Sequence, residues 1–260
     1  MKQRVLFGSG AIRRLPRLLD GIAARRVFLV TGRTSFDRCG AAEALQPMMD
    51  DRRVVGRFCD FSENPKLEDL VRGIDAFRSV APDAVVAVGG GSALDMAKLV
   101  NALAHQDAAP LDIVQGRQQI GRPGVPLIAV PTTSGSGSEA THFGVLYVGN
   151  VKYSIAAAQL LPTAAVVDPA LTCSLSPPLT AVSGMDAFAQ AVESYWSVHS
   201  TDESKGYARR AISLALRYLP EAVHTPTRTS RRAMSKAAHL AGCAINVTKT
   251  TGAHAPAAIG

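Results

Sequence analysis

The first two-thirds of the chain alternate between short apolar runs and longer amphipathic stretches. Five apolar runs are typical of buried strands: residues 26–31, 54–61, 84–88, 126–130 and 164–169. Between them, apolar positions recur at helical spacing over residues 12–19, 36–49, 67–80 and 93–104. Repeated strand and helix units predict a parallel sheet that is covered by helices on both faces.

The pattern changes in the last third of the chain. Residues 143–148 and 152–155 predict a hairpin, after which three helices are expected at about 184–198, 203–219 and 229–245. No further strand pattern follows residue 177. We therefore predict an α/β domain over residues 1–176 and an all-helical domain over residues 177–260.

Composition narrows the function classes. The chain has 260 residues, is 47% hydrophobic and carries a formal charge of +7. Because its arginines are scattered and aromatics make up only 5%, a nucleic-acid partner is disfavoured and a small anionic substrate is preferred. The N-terminus lacks the apolar run of a signal peptide and no stretch is apolar enough to span a bilayer, so we expect a cytoplasmic protein with no membrane partner. The four cysteines are scattered singly and are expected to be buried: Cys39, Cys59, Cys173 and Cys243.

A glycine-rich turn, Gly89-Gly90-Gly91-Ser92, follows the strand at 84–88 and opens the next helix. Glycine lets the backbone approach a phosphate, and a helix N-terminus offers free N–H groups, so this turn is a candidate anion site. The alternative is a tight turn with no ligand. On the helix that follows, Asp95 and Lys98 either serve the ligand or pair with neighbours.

A second turn rich in glycine and hydroxyl groups, residues 131–140, follows the strand at 126–130. It lacks the surroundings of an ordinary dinucleotide fingerprint, although 135–140 satisfies G-x-G-x-x-A. Both turns lie at the carboxyl ends of predicted parallel strands. They should therefore meet at one edge of the sheet, where α/β folds bind nucleotides.

The helix predicted near residue 184 carries the likeliest metal ligands. Asp186, Gln190 and Glu193 are spaced i, i+4 and i+7, so their oxygen atoms project from one face. Such a face can hold a metal ion. The alternative is a solvated face, or carboxylates paired with nearby arginines.

Four motifs occur in order: GGGSALDMAK at 89–98, PTTSGSGSE at 131–139, VDPAL at 167–171 and GMDA at 184–187. Together they resemble the iron-containing, group III alcohol dehydrogenases over essentially the whole chain. Within that family, residues 190–204 and 244–251 are most similar to the phosphonoacetaldehyde reductases. The resemblance implies a Rossmann-like N-terminal nucleotide-binding domain, a helical C-terminal domain and a metal between them.

The resemblance also implies site residues. The cofactor residues would be Gly90, Gly91, Ser92 and Asp95 near the pyrophosphate, Thr132 and Thr133 near the nicotinamide, and Lys152 near the ribose. Asp186 and His254 match metal ligands, and Gln190 stands where most relatives have histidine. For the phosphonate we name Lys249, Asn246 and Thr250, because a dianion favours ammonium and hydroxyl donors; a solvated lysine is the alternative for Lys249.

The expected activity is reduction of phosphonoacetaldehyde to 2-hydroxyethylphosphonate in phosphonate biosynthesis. NAD(P)H would supply hydride and a divalent metal, Fe²⁺ rather than Zn²⁺, would polarise the carbonyl. Two alternatives stay open: a general iron-type alcohol dehydrogenase, and a truncated, inactive protein that binds the cofactor only. The family continues through further helices and another ligand histidine, so we expect the helical domain to be incomplete. A homodimer is compatible with the sequence.

Overall fold

The computed structural model describes residues 3–249. Its strands are β1 (Arg4–Phe7), β2 (Val27–Thr31), β3 (Val54–Phe58), β4 (Ala84–Gly89), β5 (Leu127–Pro131), β6 (Phe143–Val148), β7 (Val151–Ala156) and β8 (Ala164–Val167). Its α-helices are α1 (Leu15–Asp20), α2 (Ser35–Arg38), α3 (Ala41–Asp50), α4 (Leu67–Val80), α5 (Gly91–Leu103), α6 (Pro110–Val114), α7 (Pro177–Trp196), α8 (Asp202–His224) and α9 (Arg228–Thr248).

Six strands form one parallel sheet in the order β1-β8-β5-β4-β2-β3, and β6 and β7 form a separate antiparallel hairpin. Alternate side chains of β4 enter opposite cores: Val85 packs into one apolar cluster and Val86 into the other. The predicted parallel sheet with both faces covered is therefore confirmed. The neighbouring strands β4 and β5 are in register, with Gly89 opposite Pro131, so the two glycine-rich turns begin side by side.

Some predicted element boundaries were wrong for local reasons. The helix expected at 36–49 is two helices, because Gly40 adopts a left-handed φ of 80° between α2 and α3. Helix α7 begins at Pro177 rather than near residue 184. There, the Ser176 side chain accepts a hydrogen bond from the Leu179 N–H, and two prolines occupy the first helical positions, where a missing N–H costs nothing.

The burial pattern of helix α7 differs from that of a simple amphipathic helix. Its polar residues Gln190 and Glu193 are buried, whereas the apolar Met185 and Val182 are exposed. Small residues allow its neighbours to approach closely: a Cβ on Gly184 would lie only 2.2 Å from the Leu219 side chain of α8. The polar face predicted for this helix is thus turned towards the protein.

The expectation that the cysteines are buried was wrong. Cys173 is exposed, and the other three are only partly buried. In the region covered by residues 3–249, no helix combines the length and apolar character needed to cross a bilayer.

Candidate nucleotide and metal site

The first glycine-rich turn leads directly into α5. Gly90 is the N-cap of this helix, and no side chain caps it, so the first N–H groups of α5 receive no side-chain acceptor. Gly90 lies against Thr133 of the second turn, since a Cβ there would be 3.3 Å from the Thr133 methyl carbon. A Cβ on Gly91 would lie 2.8 Å from Ser136 Oγ. The two turns predicted to meet at the sheet edge are therefore in contact, and their glycines are required for that contact.

The second turn also contacts the helical region. A Cβ on Gly135 would lie 2.9 Å from the Ser183 Cβ of α7, and one on Gly137 would lie 2.6 Å from Gly242 Cα of α9. Ser134 and Ser235, both buried, share a hydrogen bond of 3.1 Å between their hydroxyl oxygens. These glycines thus serve helix packing, a role that the sequence did not reveal.

Asp95 and Lys98 pair with neighbours. Asp95 accepts hydrogen bonds from Ser138 Oγ at 2.5 Å and from the Val145 N–H at 3.1 Å. Burial raises the pKa of Asp95, although the nearby ammonium of Lys98 opposes the rise. Lys98 donates to Thr141 Oγ1 and to a backbone carbonyl, and burial lowers its pKa to about 8. Both residues fasten the second turn and the hairpin to α5.

The remaining predicted cofactor residues lie around this edge. Ser92 donates its hydroxyl hydrogen to the Glu63 carbonyl, which leaves its backbone N–H as the group available at the turn. Thr132 is buried and its N–H bonds the Gly89 carbonyl at 2.9 Å, whereas Thr133 is partly exposed. Lys152, on β7, is close enough to Asp95 for its charge to oppose the rise in the pKa of that carboxyl. Six of the seven predicted cofactor residues thus lie on the two turns or in α5, and the charge of the seventh, Lys152, acts on Asp95.

Two of the three predicted metal ligands lie in the described part of the chain. Asp186 and Gln190 lie one turn apart on α7, and His254 lies outside the described residues. Gln190 is 5% exposed, and its Oε1 has no hydrogen-bond partner within residues 3–249. Such an orphaned oxygen is costly unless a ligand occupies it, so it fits a metal ligand. Within that same range no group of three or more His, Cys, Asp or Glu side chains could hold a metal.

The predicted substrate residues lie at the end of α9. Asn246 Oδ1 accepts from the His142 N–H at 2.8 Å and from His142 Nδ1 at 2.6 Å. Lys249 is exposed and follows the last residue of α9, and Thr250 lies outside the described residues. His142 was missed from sequence because a single histidine before a strand carries no sign of a partner 104 residues away.

A second histidine, also missed from sequence, ties the second turn to α9. His239 Nδ1 lies 3.1 Å from Glu139 Oε1, both side chains are buried, and His239 Nε2 is 3.8 Å from Cys243 Sγ. Burial alone would lower the pKa of His239, but the hydrogen bonds with Cys243 and Glu139 outweigh it and raise the pKa to about 9. His239 is therefore protonated at neutral pH, with its Nδ1 directed at the Glu139 carboxyl.

Two family profiles match this chain. The profile described as iron-containing alcohol dehydrogenase matches residues 2–169, and the profile of the C-terminal region of the Fe-containing alcohol dehydrogenase family matches residues 180–258. The chain belongs to the iron-containing alcohol dehydrogenase family, a group of NAD(P)-dependent oxidoreductases that use a divalent metal.

Individual relatives sharpen the comparison. Long-chain-alcohol dehydrogenase 1 of Geobacillus thermodenitrificans is 34% identical over 95% of this chain and 64% of its own length. Phosphonoacetaldehyde reductase of Streptomyces viridochromogenes is 33% identical over 95% of this chain and 62% of its own. The crystal structure of sulfoacetaldehyde reductase from Bifidobacterium kashiwanohense with NAD⁺ is similar with a TM-score of 0.90, 32% identity, and coverage of 97% of this chain and 67% of that one. The chain thus spans about two-thirds of the length of these relatives.

Proposed function

We propose that this chain is part of a metal-dependent, NAD(P)H-linked reductase of a small anionic aldehyde, with phosphonoacetaldehyde as the preferred substrate. The observation that carries the proposal is that the fold combines the two glycine-rich turns with two hydrogen-bond donors at the end of α9, Asn246 and Lys249. Two of the relatives are named for two-carbon aldehydes that carry a tetrahedral acid group. Ammonium and amide donors suit such an anion.

Each part of the site has a distinct task in this proposal. The uncapped start of α5 at Gly90 and Gly91 would bind the cofactor pyrophosphate through backbone N–H groups. Asp186 and Gln190 would hold the cation, with His254 as a further ligand. When bound, the nicotinamide supplies hydride for the aldehyde carbon and the metal supplies a Lewis acid for the carbonyl oxygen. Lys249 and Asn246 would hold the anionic end of the substrate and so fix the aldehyde relative to the cofactor.

The test is to follow oxidation of NADH and of NADPH by the Fe²⁺-loaded protein with phosphonoacetaldehyde, propionaldehyde and a long-chain aldehyde. We expect kcat/KM for phosphonoacetaldehyde to exceed that for propionaldehyde at least ~10-fold, because a site built for polar contacts rejects analogues that lack them. Asp186→Ala should remove turnover and leave cofactor binding intact.

Other outcomes select the alternatives. Equal or better turnover of the neutral aldehydes would favour a general alcohol dehydrogenase. Cofactor binding without turnover of any aldehyde would favour an inactive cofactor-binding chain. A cytoplasmic location and a role in phosphonate biosynthesis belong to this proposal, and the second would fall with the anionic substrate.

A further inference from the structure

The orientation of the Asn246 side-chain amide follows from its two hydrogen bonds. A backbone N–H can only donate, and the His142 N–H lies 2.8 Å from one amide atom of Asn246, so that atom is the oxygen. The same oxygen lies 2.6 Å from His142 Nδ1. With the oxygen held by both donors, the NH₂ group of Asn246 is directed away from His142.

The same contact fixes the state of His142. Since Asn246 Oδ1 can only accept, His142 Nδ1 must carry the proton. Burial lowers the pKa of His142; the hydrogen bond to Asn246 opposes this, whereas the charges of Lys98 and Lys249 reinforce it. The ring is therefore neutral at physiological pH. It lies in the field of two ammonium groups.

Within residues 3–249, only one of these two ammonium groups has no ion-pair partner. Lys98 is buried and bonds Thr141 and the Phe143 carbonyl, with Asp95 at 3.8 Å. Lys249 is exposed, and no carboxylate of residues 3–249 lies within ion-pair distance of it. Lys249 is the C-cap of α9, three positions after Asn246, and its backbone has left the helical conformation (φ 60°). Its charge acts on His142, the residue that bonds the Asn246 amide, so its ammonium lies in the same region as that amide.

The direction of the amide decides what this end of α9 can bind. The carboxyl end of a helix carries partial negative charge and repels anions unless side-chain donors outweigh it. If the Asn246 amide were reversed, its oxygen would add to that repulsion. Held by His142, it instead adds N–H donors beside Lys249.

We propose that His142 is a positioning residue for anion recognition: it fixes the Asn246 amide so that its NH₂ group, together with Lys249, binds the tetrahedral acid group of the substrate. This inference rests on the proposed function and assigns the step that selects an anionic aldehyde over a neutral one. His142 itself need not touch the substrate.

The experiment measures the binding of methylphosphonate, an unreactive tetrahedral anion, by calorimetry with cofactor present. His142→Phe keeps a planar ring and the backbone N–H to Asn246 Oδ1 but loses the Nδ1 donor, whereas His142→Asn places an amide N–H where Nδ1 was. We expect His142→Phe to weaken the binding of methylphosphonate about fivefold, which corresponds to the loss of one hydrogen bond. His142→Asn should restore the affinity to within twofold of the wild type. Asn246→Asp keeps the acceptor for His142 but removes the NH₂ group and adds charge, so it should weaken binding more than either.

The controls separate a local effect from misfolding. Val247→Ala changes an exposed side chain on the same turn and should leave methylphosphonate binding unaltered. Cofactor affinity should be the same in all variants. Wild-type affinity for methylphosphonate in His142→Phe or in Asn246→Asp would overturn the inference, as would failure of the wild type to bind the anion. A wild type that binds methylphosphonate but neither binds the cofactor nor reduces any aldehyde would refute the proposed function instead.

Discussion

The sheet edge and the helical face of α7 make opposite use of their polar groups. At the edge, the polar side chains are paired within the protein, as Asp95 is with Ser138, and glycines keep backbone N–H groups clear. On α7, Gln190 Oε1 is buried and has no hydrogen-bond partner among the described residues. The proposed cofactor residues all precede the helical region, whereas the proposed metal ligands on α7 are only Asp186 and Gln190. Cofactor binding and metal binding should therefore respond differently to mutation.

The largest effect is expected at Gly90. Gly90→Val places a branched side chain against Thr133, where even a Cβ would be 3.3 Å from the methyl carbon, and fills the space over the turn. Reduced-nicotinamide fluorescence should then show no saturable cofactor binding, while bound Fe²⁺ is unaltered.

The matched control for that variant is Gly206→Val on α8. A Cβ there meets nothing within 4 Å, so cofactor binding should match the wild type. Cofactor binding at normal strength in Gly90→Val would move the cofactor to another part of the fold.

A smaller effect concerns the buried Glu139 and His239 pair, which joins the second turn to α9. The pKa of His239 rises from 6.5 to about 9 on folding, so its protonated form stabilises the fold by about 3 kcal/mol. That contribution is complete below pH 6.5 and is lost as the pH rises through about 9. The contribution of Lys98 to stability has the opposite pH dependence. Because its pKa is lowered to about 8 on folding, stability rises as the pH increases above about 8.

Urea unfolding of the wild type and of His239→Leu at pH 6 and pH 9.5 isolates this pair, since Lys98 is present in both proteins. The free energy of unfolding of the wild type minus that of the variant should be about 3 kcal/mol larger at pH 6 than at pH 9.5. A difference that does not change with pH would show that the pair is not ionised.

The smallest effect is expected at Gln190. Gln190→Met replaces a buried amide, whose Oε1 has no hydrogen-bond partner within residues 3–249, with an apolar side chain of similar length, and should stabilise the metal-free fold by about 1 kcal/mol. The same variant should hold less Fe²⁺ after dialysis.

Met185→Leu, at an exposed position on the same helix, is the control and should leave metal content and stability near wild type. A Gln190→Met protein that is destabilised and keeps its metal would mean that the amide serves the fold rather than a ligand.

Sequence patterns predicted the sheet and the meeting of the two glycine-rich turns because both depend on local signals. Apolar runs such as residues 84–88 specify buried strands, and glycine turns follow them directly. Contacts between distant residues could not be predicted in this way. His142 and Asn246 meet only because α9 docks against the turn that precedes β6, and Glu139 and His239 meet across 100 residues for the same reason. The inward direction of Gln190 likewise depends on how α7 packs, which its own spacing does not determine.

The most direct test of this contrast is a titration of the wild-type protein with NADH and NADPH in the presence of a metal chelator. Because the proposed cofactor residues all lie before α7, we predict saturable binding of at least one cofactor to metal-free protein, with the same affinity when Fe²⁺ is restored. Folded protein that binds neither cofactor until metal is added would contradict a self-contained cofactor edge.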